Sequence, residues 1–290
     1  MASTITLRRR INSIRNTRQI TKAMELVSAS KMRRAQEAAK LSRDYRAAAY
    51  ALLARLNLVK EVERHPLFAT RPVKNKLYVV ITSNSGLAGA YNSNVLKQLT
   101  VAIRADQDNK VKSHVITIGN KGAQFARRLA SVELVAAYPA FGDKPSENDI
   151  RPILNMLVKM HTDGEVDEVH LLYTMFRSNI SQIATDLSLL PAHLEQADAA
   201  TDASPVFNFE PDVETVISQV ATRLIEVQIW QGLLESLASE HSMRMLAMKN
   251  ATDNANELIA DYTLEYNTAR QAAITQELAE ISGGVEALKD

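Results

Sequence analysis

Residues 212–282 read DVETVISQVATRLIEVQIWQGLLESLASEHSMRMLAMKNATDNANELIADYTLEYNTARQAAITQELAEIS, with one glycine, Gly232, and no proline. In a helix interior a proline costs about 3 kcal/mol and a glycine about 1 kcal/mol relative to alanine. The near absence of both residue types therefore predicts a single long C-terminal helix. At about 1.5 Å per residue, roughly 75 helical residues would extend over ~110 Å, more than a globular domain of this size can enclose.

The first 65 residues have the same property, because they contain neither glycine nor proline. All eight prolines lie between Pro66 and Pro211, and so do six of the nine glycines. This distribution predicts three segments: an N-terminal coiled-coil helix at 1–66, a central domain at 67–210 and a C-terminal coiled-coil helix at 211–290.

Apolar spacing supports a coiled coil in both terminal segments. Gaps of three and four residues, sustained over many turns, are typical of a left-handed coiled-coil seam. The seam positions predicted in the N-terminal segment are Ala38, Leu41, Tyr45, Ala48, Leu52, Leu56 and Val59. Those predicted in the C-terminal segment are Leu234, Ala238, His241, Met245, Met248, Thr252, Ala255, Ile259, Tyr262, Tyr266, Ala269 and Ala273. Two amphipathic helices packed on an ordinary core are the alternative.

The charges of the two terminal segments are complementary. Residues 1–46 hold twelve Lys/Arg and three acids, whereas residues 251–290 hold eight Asp/Glu and two basic residues. Because both segments leave the same domain, they are expected to pair antiparallel, with residue i opposite roughly residue 277 − i. The last ~15 residues of the C-terminal helix would then extend beyond the pair as a single helical tip.

The middle of the chain alternates between strand and helix patterns. Strands are predicted at Lys76–Thr82, Val111–Ile118, Val132–Ala137, Val166–Thr174 and Gln182–Leu190, and helices at about 92–105, 121–130 and 146–162. Three βα units followed by a hairpin turn at Arg177–Ser181 predict a mostly parallel sheet with an antiparallel edge. The fold class is therefore α/β combined with a long antiparallel α-helical coiled coil.

One loop invites a nucleotide-binding interpretation. The stretch SNSGLAG at residues 83–89 lies between a predicted strand and helix, where phosphate-binding loops occur. Its glycine spacing is GxxG, not GxGxxG, and no GK[ST] follows, so a structural tight turn is favoured over a nucleotide site. No Ser/His/Asp set or carboxylate pair is evident, and no catalytic, cofactor or metal residue is predicted.

Composition excludes several classes of protein. There are no cysteines, so a disulfide framework and thiolate chemistry are excluded. No apolar run approaches the ~20 residues of a transmembrane helix, the N-terminus lacks the apolar centre of a secretory signal, and the chain is expected in the cytosol. A nucleic-acid binder using the basic N-terminal helix and a dinucleotide-dependent enzyme remain as rival classes. The net charge of +1 argues against the first.

Five stretches, in the N-terminal, central and C-terminal regions, carry a resemblance to a known family. INSIRNTRQITKAMELVSASKMR at 11–33 resembles the N-terminal helix of the γ subunits of F-type ATP synthases. The runs ASEH at 238–241, MKNATDNA at 248–255 and YNTARQAAITQE at 266–277 are similar to the family's C-terminal signature, and SGLAGAYN at 85–92 matches its central domain. The resemblance implies a coiled-coil shaft with a central Rossmann-like βαβ domain, and it replaces the nucleotide interpretation of the loop.

The function implied by the resemblance is rotary coupling by a non-catalytic central-stalk subunit. It implies that the shaft turns inside an α3β3 head whose β subunits carry the catalytic sites, while proton flow through the membrane c-ring drives the foot. The implied partners are the α, β and ε subunits and the c-ring, with no nucleic acid. With no cysteine pair and no convincing transit peptide, a bacterial protein peripheral to the cytoplasmic side of the inner membrane is expected.

The resemblance also assigns residues to interfaces. By matching positions, Lys22, Met24, Arg270 and Gln271 would contact β, and Phe207, Phe209 and Glu210 would lie at the foot near the c-ring and ε. The predicted tip, with Ile274, Leu278 and Ile281, suits an apolar bearing at the top of the head.

Overall fold

Residues 4–56, 65–142, 145–192 and 212–287 are described by the structure, a computed structural model, apart from the side chains of 44–56, 213–214, 283 and 285–287. The described residues contain five α-helices, α1 (Thr4–Leu56), α2 (Tyr91–Asp108), α3 (Asn120–Ala126), α4 (Glu147–Thr162) and α5 (Val213–Ala287). They also contain five strands, β1 (Asn75–Ile81), β2 (Lys112–Ile118), β3 (Val132–Tyr138), β4 (Glu168–Phe176) and β5 (Gln182–Leu190). The predicted fold class is confirmed. No described helix combines the length and apolarity needed to cross a bilayer.

The strands form one sheet in the order β3-β2-β1-β4-β5. Strands β3, β2, β1 and β4 are parallel, and β5 pairs antiparallel with β4. The hairpin between β4 and β5 closes where the amides of Arg177 and Ser178 both donate to the carbonyl of Ser181. The mostly parallel sheet, its antiparallel edge and the hairpin position are all as predicted.

The predicted boundaries hold within about three residues, except at the end of α3. We expected this helix to reach residue 130, but it ends at Ala126. The amides of Arg128 and Leu129 donate to carbonyls three residues back, at Phe125 and Ala126. The chain therefore tightens into turns there, which the propensity of the residues alone does not reveal.

Helices cover both faces of the sheet. One face packs against α4 and the first part of α5 through buried side chains that include Ile153, Leu157, Ile225 and Ile229. The other face packs against α2 through Val95, Leu99 and Ile103. This packing requires a glycine at position 232, because a Cβ there would lie 2.7 Å from Cδ2 of Leu171 in β4. The only glycine of residues 212–282 therefore marks the close approach of α5 to the sheet.

The chain divides into two compact units, one comprising residues 29–244 and the other residues 1–28 with 245–290. In the second unit, referred to below as the terminal helix pair, α1 and α5 run antiparallel. Oγ1 of Thr252 donates to Oγ1 of Thr21 at 2.8 Å, Arg18 donates to Oδ1 of Asn256 at 3.3 Å, and the guanidinium of Arg10 lies 5.9 Å from the ring centre of Tyr262. These pairs place residue i opposite about residue 273 − i. The predicted register was therefore wrong by about one helical turn.

The predicted burial along α5 is confirmed as far as Ala269, whereas the predicted seam of α1, in which Ala38 is half-buried, needs correction. Every predicted α5 position from Leu234 to Ala269 is buried or half-buried, and Ala273 is exposed. In α1, however, Leu41 is 73% exposed, and the side chains from Tyr45 onward lie outside the described residues. The buried α1 positions follow a different 3–4 pattern: Leu7, Ile11, Thr21 and Ser28 in the terminal helix pair, and Met32, Ala35, Ala39 and Ser42 in the unit of 29–244.

Candidate interaction surfaces

The end of α5 is a single exposed helix. Every side chain described between Arg270 and Ser282 is exposed, in agreement with the predicted tip. Ile274, Leu278 and Ile281 are 48%, 59% and 65% exposed and follow one another at intervals of four and three residues. They therefore form an apolar stripe on one side of the tip. An isolated apolar stripe of this kind is typical of a surface that contacts another protein.

Arg270 lies at the start of the same stripe, four residues before Ile274. Its side chain is exposed, and it makes no salt bridge with any residue that the structure describes. Neither Glu265 nor Glu277, the nearest acids before and after it in α5, forms a salt bridge with it. With the corrected register, Arg270 falls opposite residue 3, before the first described residue of α1, about one turn further out than we expected. The exposed Gln271 follows it, and its carbonyl accepts a hydrogen bond from Thr275.

The predicted positions on α1 differ from each other in exposure. The ammonium group of Lys22 contacts both carboxylate oxygens of Glu25 at 3.0 Å, and the Lys22 side chain is half-exposed. Met24 is half-buried. A surface pair three residues apart on a helix contributes only a few tenths of a kcal/mol, and the Lys22 end of this pair is half-exposed, so Lys22 can exchange this partner for another acid at little cost.

The predicted foot residues Phe207, Phe209 and Glu210 lie outside the described residues.

The loop after β1 is held by its own side chains. Oγ1 of Thr82 accepts a hydrogen bond from the amide of Gly122 at 2.9 Å. Oδ1 of Asn84 accepts from the amides of Asn120 and Ala140. In a nucleotide-binding fold, amides at these strand ends would be free to contact phosphate. Here three of them are bonded within the chain, which favours the structural interpretation of SNSGLAG.

The adjacent space between the carboxyl ends of β1 and β4 is occupied by α5. In an open parallel sheet of this strand order, ligands bind at this point. Here Ser236 accepts the amide of Thr174, Ser239 donates to the Thr174 carbonyl, and Arg244 contacts Glu240 at 2.7 Å and Ser85 at 3.4 Å. Burial and the charge of Glu240 raise the pKa of the nearby Tyr91 far above its ordinary value. The chain thus fills its own crevice.

A charged network at the opposite, amino end of the strands was not foreseen. It links α2, β1, β4 and β5, with contacts of Lys76 to Asp106 at 3.5 Å and to Glu168 at 3.1 Å, and of His170 to Glu168 at 3.3 Å and to Asp186 at 2.9 Å. Burial lowers the pKa of His170, but its bonds with Asp186 and Glu168 outweigh burial and raise it. Burial raises the pKa of Glu168, whereas Lys76 and His170 lower it, with a net decrease.

This network does not have the arrangement of an active site. Its charges are paired with one another, and it lies at the amino ends of strands that bind ligands at their carboxyl ends. Asp106 is buried in α2 and accepts hydrogen bonds from Tyr78 at 2.7 Å and Ser113 at 2.9 Å. The alternation of Lys76 with Tyr78 and of Glu168 with His170 could have revealed the network, because residues two apart share a sheet face.

The fold and its exposed helical tip define a class: central-stalk subunits, in which two long helices flank a small parallel-sheet domain. A family model described as ATP synthase matches residues 3–288. The ATP synthase gamma chain of Desulfitobacterium hafniense is 41% identical over 100% of both chains, and that of Stenotrophomonas maltophilia is 40% identical over 99% of this chain and 100% of its own. The chain therefore belongs to the ATP synthase γ-subunit family.

Solved structures agree with this assignment. The central stalk of the Tetrahymena thermophila mitochondrial ATP synthase matches with a TM-score of 0.64 and 26% identity, covering 80% of this chain and 99% of its own. A chain of the Euglena gracilis mitochondrial ATP synthase in rotational state 3 shares the fold, with a TM-score of 0.68 and 18% identity over 98% of this chain and 94% of its own. The chain is thus a central-stalk subunit of a membrane-associated ATP synthase.

Proposed function

We propose that this chain is the non-catalytic rotor of its ATP synthase and couples proton flow through a membrane c-ring to ATP synthesis and hydrolysis in an α3β3 head. The observation that carries the proposal is the end of α5, a single helix whose described side chains from 270 to 282 are all exposed. A helix of this length without a packing partner is only marginally stable in water, so a surrounding partner is needed to hold it.

Rotation requires contacts that differ in strength between the states of the partner. A subunit without catalytic groups can drive a partner only by binding its conformations with different affinities. The tip offers two kinds of contact: the apolar stripe of Ile274, Leu278 and Ile281 for a bearing, and Arg270 with Gln271 for a polar grip on β. A guanidinium fits a carboxylate through two parallel hydrogen bonds, so we assign Arg270 to an acidic group of β.

The remaining assignments follow from the same proposal. Lys22 and Met24 face β from α1, and Phe207, Phe209 and Glu210 meet the c-ring and ε at the foot. The segments 1–66, 67–210 and 211–290 act as N-terminal shaft helix, foot domain and C-terminal shaft helix. The complex lies on the cytoplasmic side of the inner membrane of a bacterium, with this subunit peripheral to the bilayer and without a nucleic-acid partner. No cofactor is assigned to the chain.

The proposal is tested by watching the subunit turn. Because the chain has no cysteine, Val101→Cys in α2 creates a unique attachment point, and Val101 is 60% exposed. The labelled chain is assembled with α and β subunits of the same organism, the complex is fixed through α3β3, and a bead or rod is attached to the label. We expect rotation in one direction on addition of ATP.

Two controls define the outcome. The purified chain alone should hydrolyse no ATP, and the labelled chain fixed without α3β3 should show no directed motion of its label on addition of ATP. A complex that hydrolyses ATP while the label on the chain stays fixed would rule out the rotor role. Hydrolysis by the isolated chain would rule out the non-catalytic role.

A further inference from the structure

The two long helices and the sheet meet at one arginine. Arg43 in α1 approaches Glu235 in α5, with Nε and Nη2 each 3.0 Å from the same carboxylate oxygen, Oε1. Nη2 also donates to the carbonyl of Phe176, the last residue of β4, at 3.1 Å. The Glu235 side chain is 5% exposed. A single guanidinium therefore joins α1, α5 and the end of a strand within the unit of 29–244.

A second tie lies seven residues away on both helices. Gln36 in α1 donates to Oδ1 of Asn179 in the β4–β5 hairpin at 3.1 Å. Ser242 in α5 donates to the carbonyl of Asn179 at 3.0 Å, and Gln182 at the start of β5 donates to Ser242 at 3.1 Å. Seven residues are close to two helical turns, so each helix presents both of its ties on one side.

Together these residues form what we call the hairpin bracket: Gln36, Arg43, Phe176, Asn179, Gln182, Glu235 and Ser242. Each tie has the same plan, with a hairpin group bonded to a long side chain of α1 and the helix α5 completing the connection. Apolar packing is non-directional and allows neighbouring elements to twist past one another. Hydrogen bonds are directional, and those between the charged groups of Arg43 and Glu235 are also stronger, so the bracket resists such twisting.

Glu235 makes the bracket difficult to replace by packing. Its Oε1 also accepts from Nε2 of Gln231 at 2.7 Å. Removing one partner of a buried ion pair leaves a buried charge without compensation, a large penalty compared with the loss of an exposed pair. Glu235 is also an acid in a stretch of α5 whose neighbouring residues are buried, so its charge has few other partners within reach.

We propose that the hairpin bracket is the joint through which turning force passes between the long helices and the sheet domain, with Arg43 as its positioning residue. This inference rests on the proposed rotor function. A joint of this kind matters only under load. Without a load, the helices turn in the head whether or not the sheet domain follows rigidly, whereas pumping against a gradient requires that the domain not slip or twist.

The test compares loaded and unloaded work in the same vesicles. The whole ATP synthase carrying Arg43→Gln is reconstituted, and ATP hydrolysis with an uncoupler is measured beside the proton gradient that ATP maintains without one. We expect unloaded hydrolysis equal to wild type and a gradient severalfold smaller. Arg43→Lys, which keeps the charge but not the fork of donors, should fall between the two. Lys40→Gln is the matched control, because Lys40 is an exposed base of α1 with no salt bridge among the described residues.

A correctly assembled Arg43→Gln complex that sustains the wild-type gradient would overturn the inference. If this variant does not assemble, Gln36→Ala takes its place, because it removes the uncharged tie and leaves no buried charge; an undiminished gradient then overturns the inference in the same way. The two proposals are separated by rotation of a complex that carries Val101→Cys as its only substitution. If the label on this complex does not turn, the rotor function is contradicted. If it turns and the bracket variants sustain the wild-type proton gradient, only the joint is contradicted.

Discussion

The two compact units of this chain bury different kinds of side chain. In the unit of 29–244, Leu77, Val79, Leu157 and Leu171 are completely buried between sheet and helices. In the terminal helix pair, the buried positions are mostly small or polar: Thr21, Ser28, Thr252, Ala255, with Leu7, Ile11 and Met248 as the larger apolar members.

The difference has an energetic consequence. Full burial of a Leu, Val or Ile side chain stabilises a protein by about 1.5–3 kcal/mol, and Ala, Ser and Thr contribute less. The first unit thus carries its own stability, while the terminal helix pair depends on a small number of contacts per turn. Such a seam would suit the proposed rotor role, in which a partner binds the helix pair and releases it again. Each prediction below sharpens or breaks this comparison.

Limited proteolysis should separate the units most clearly. In the isolated chain, we expect residues 1–28 and 245–290 to be trimmed many times faster than the rest. The resistant fragment should keep α5 as far as about Arg244, because Ala221, Ile225 and Ile229 are buried in the core. Mass spectrometry of the fragments measures this, and it decides between a core ending near residue 244 and one ending at the predicted segment boundary of 210.

The assembled complex is the control for this experiment, since α3β3 should protect the terminal residues. Termini of the free chain that resist protease as long as the sheet domain would show that the seam is not the weaker part.

Gly119→Ala should have the largest effect of any single substitution considered. Gly119 has φ of +106°, and a Cβ there would lie 2.1 Å from the carbonyl oxygen of Thr82. Backbone strain and overpacking together should destabilise the unit by about 3 kcal/mol or more. Denaturant unfolding followed through Trp230, the only tryptophan and part of this core, measures the loss.

Gly86→Ala is the matched control, because nothing lies within 4 Å of a Cβ at Gly86. Equal unfolding midpoints for the two variants would mean that the loop after β1 moves to accommodate the added Cβ. The unit of 29–244 would then be no more rigid than the terminal helix pair.

Sequence reasoning succeeded where single residue types carry the signal. The absence of proline and glycine located α1 and α5, and the alternation of strand and helix patterns located the sheet, because backbone propensity and side-chain periodicity act locally. It failed where polar side chains are buried. Part of the α1 seam was missed because Thr21, Ser28 and Ser42 are not apolar, although they follow the 3–4 spacing.

Long-range placement was the other limit. The register of the terminal helix pair was wrong by about one turn, because connections of unknown geometry separate the helices and equal rise does not fix their offset. The bond of Arg43 to Glu235, 192 residues apart, depends on that same placement. Of the predicted interface residues, the exposure of the tip could be predicted from the overhang, whereas the predicted register placed Arg270 in the paired part, opposite residue 7. The partners of these residues follow only from family resemblance.

The double variant Arg270→Ala with Gln271→Ala tests the exposed end of α5. Because these side chains are exposed and Arg270 has no salt bridge among the described residues, the chain should fold and assemble normally. If they hold one state of β, losing about 1–3 kcal/mol of differential contact should slow turnover roughly 5- to 150-fold. Steady-state ATP hydrolysis and ATP-driven proton pumping by the reconstituted complex provide the measurement.

Asn267→Ala, which removes an exposed polar side chain one turn earlier, should leave both rates unchanged. Wild-type rates in a correctly assembled double variant would show that Arg270 and Gln271 do not hold β. The low stability of the helix pair would then have no link to a binding function at these two residues.

The smallest expected effect is in the polar seam itself. Thr252→Val keeps the shape of the side chain but removes the hydroxyl that bridges Thr21 and the carbonyl of Met248, both at 2.8 Å. Thr21 still donates to the carbonyl of Arg18, so the loss should be about 1 kcal/mol or less. Hydrogen exchange of the backbone amides at 245–262 in the isolated chain measures it, with the amides of β1 as an internal reference.

The double variant Thr21→Val with Thr252→Val then decides why the seam is polar. Replacing both partners of a buried hydrogen bond by apolar groups of the same shape is often neutral or stabilising, so exchange in the helix pair should return to the wild-type rate or below it. Such a gain, together with slower turnover in the assembled complex, would mean that the hydroxyls keep the pair weak enough to yield to its partner. If the double variant is less stable than either single one, the hydrogen-bonded threonines stabilise the helix pair better than two valines do. The polar residues of the seam would then be explained by stability alone, without a role in yielding to a partner.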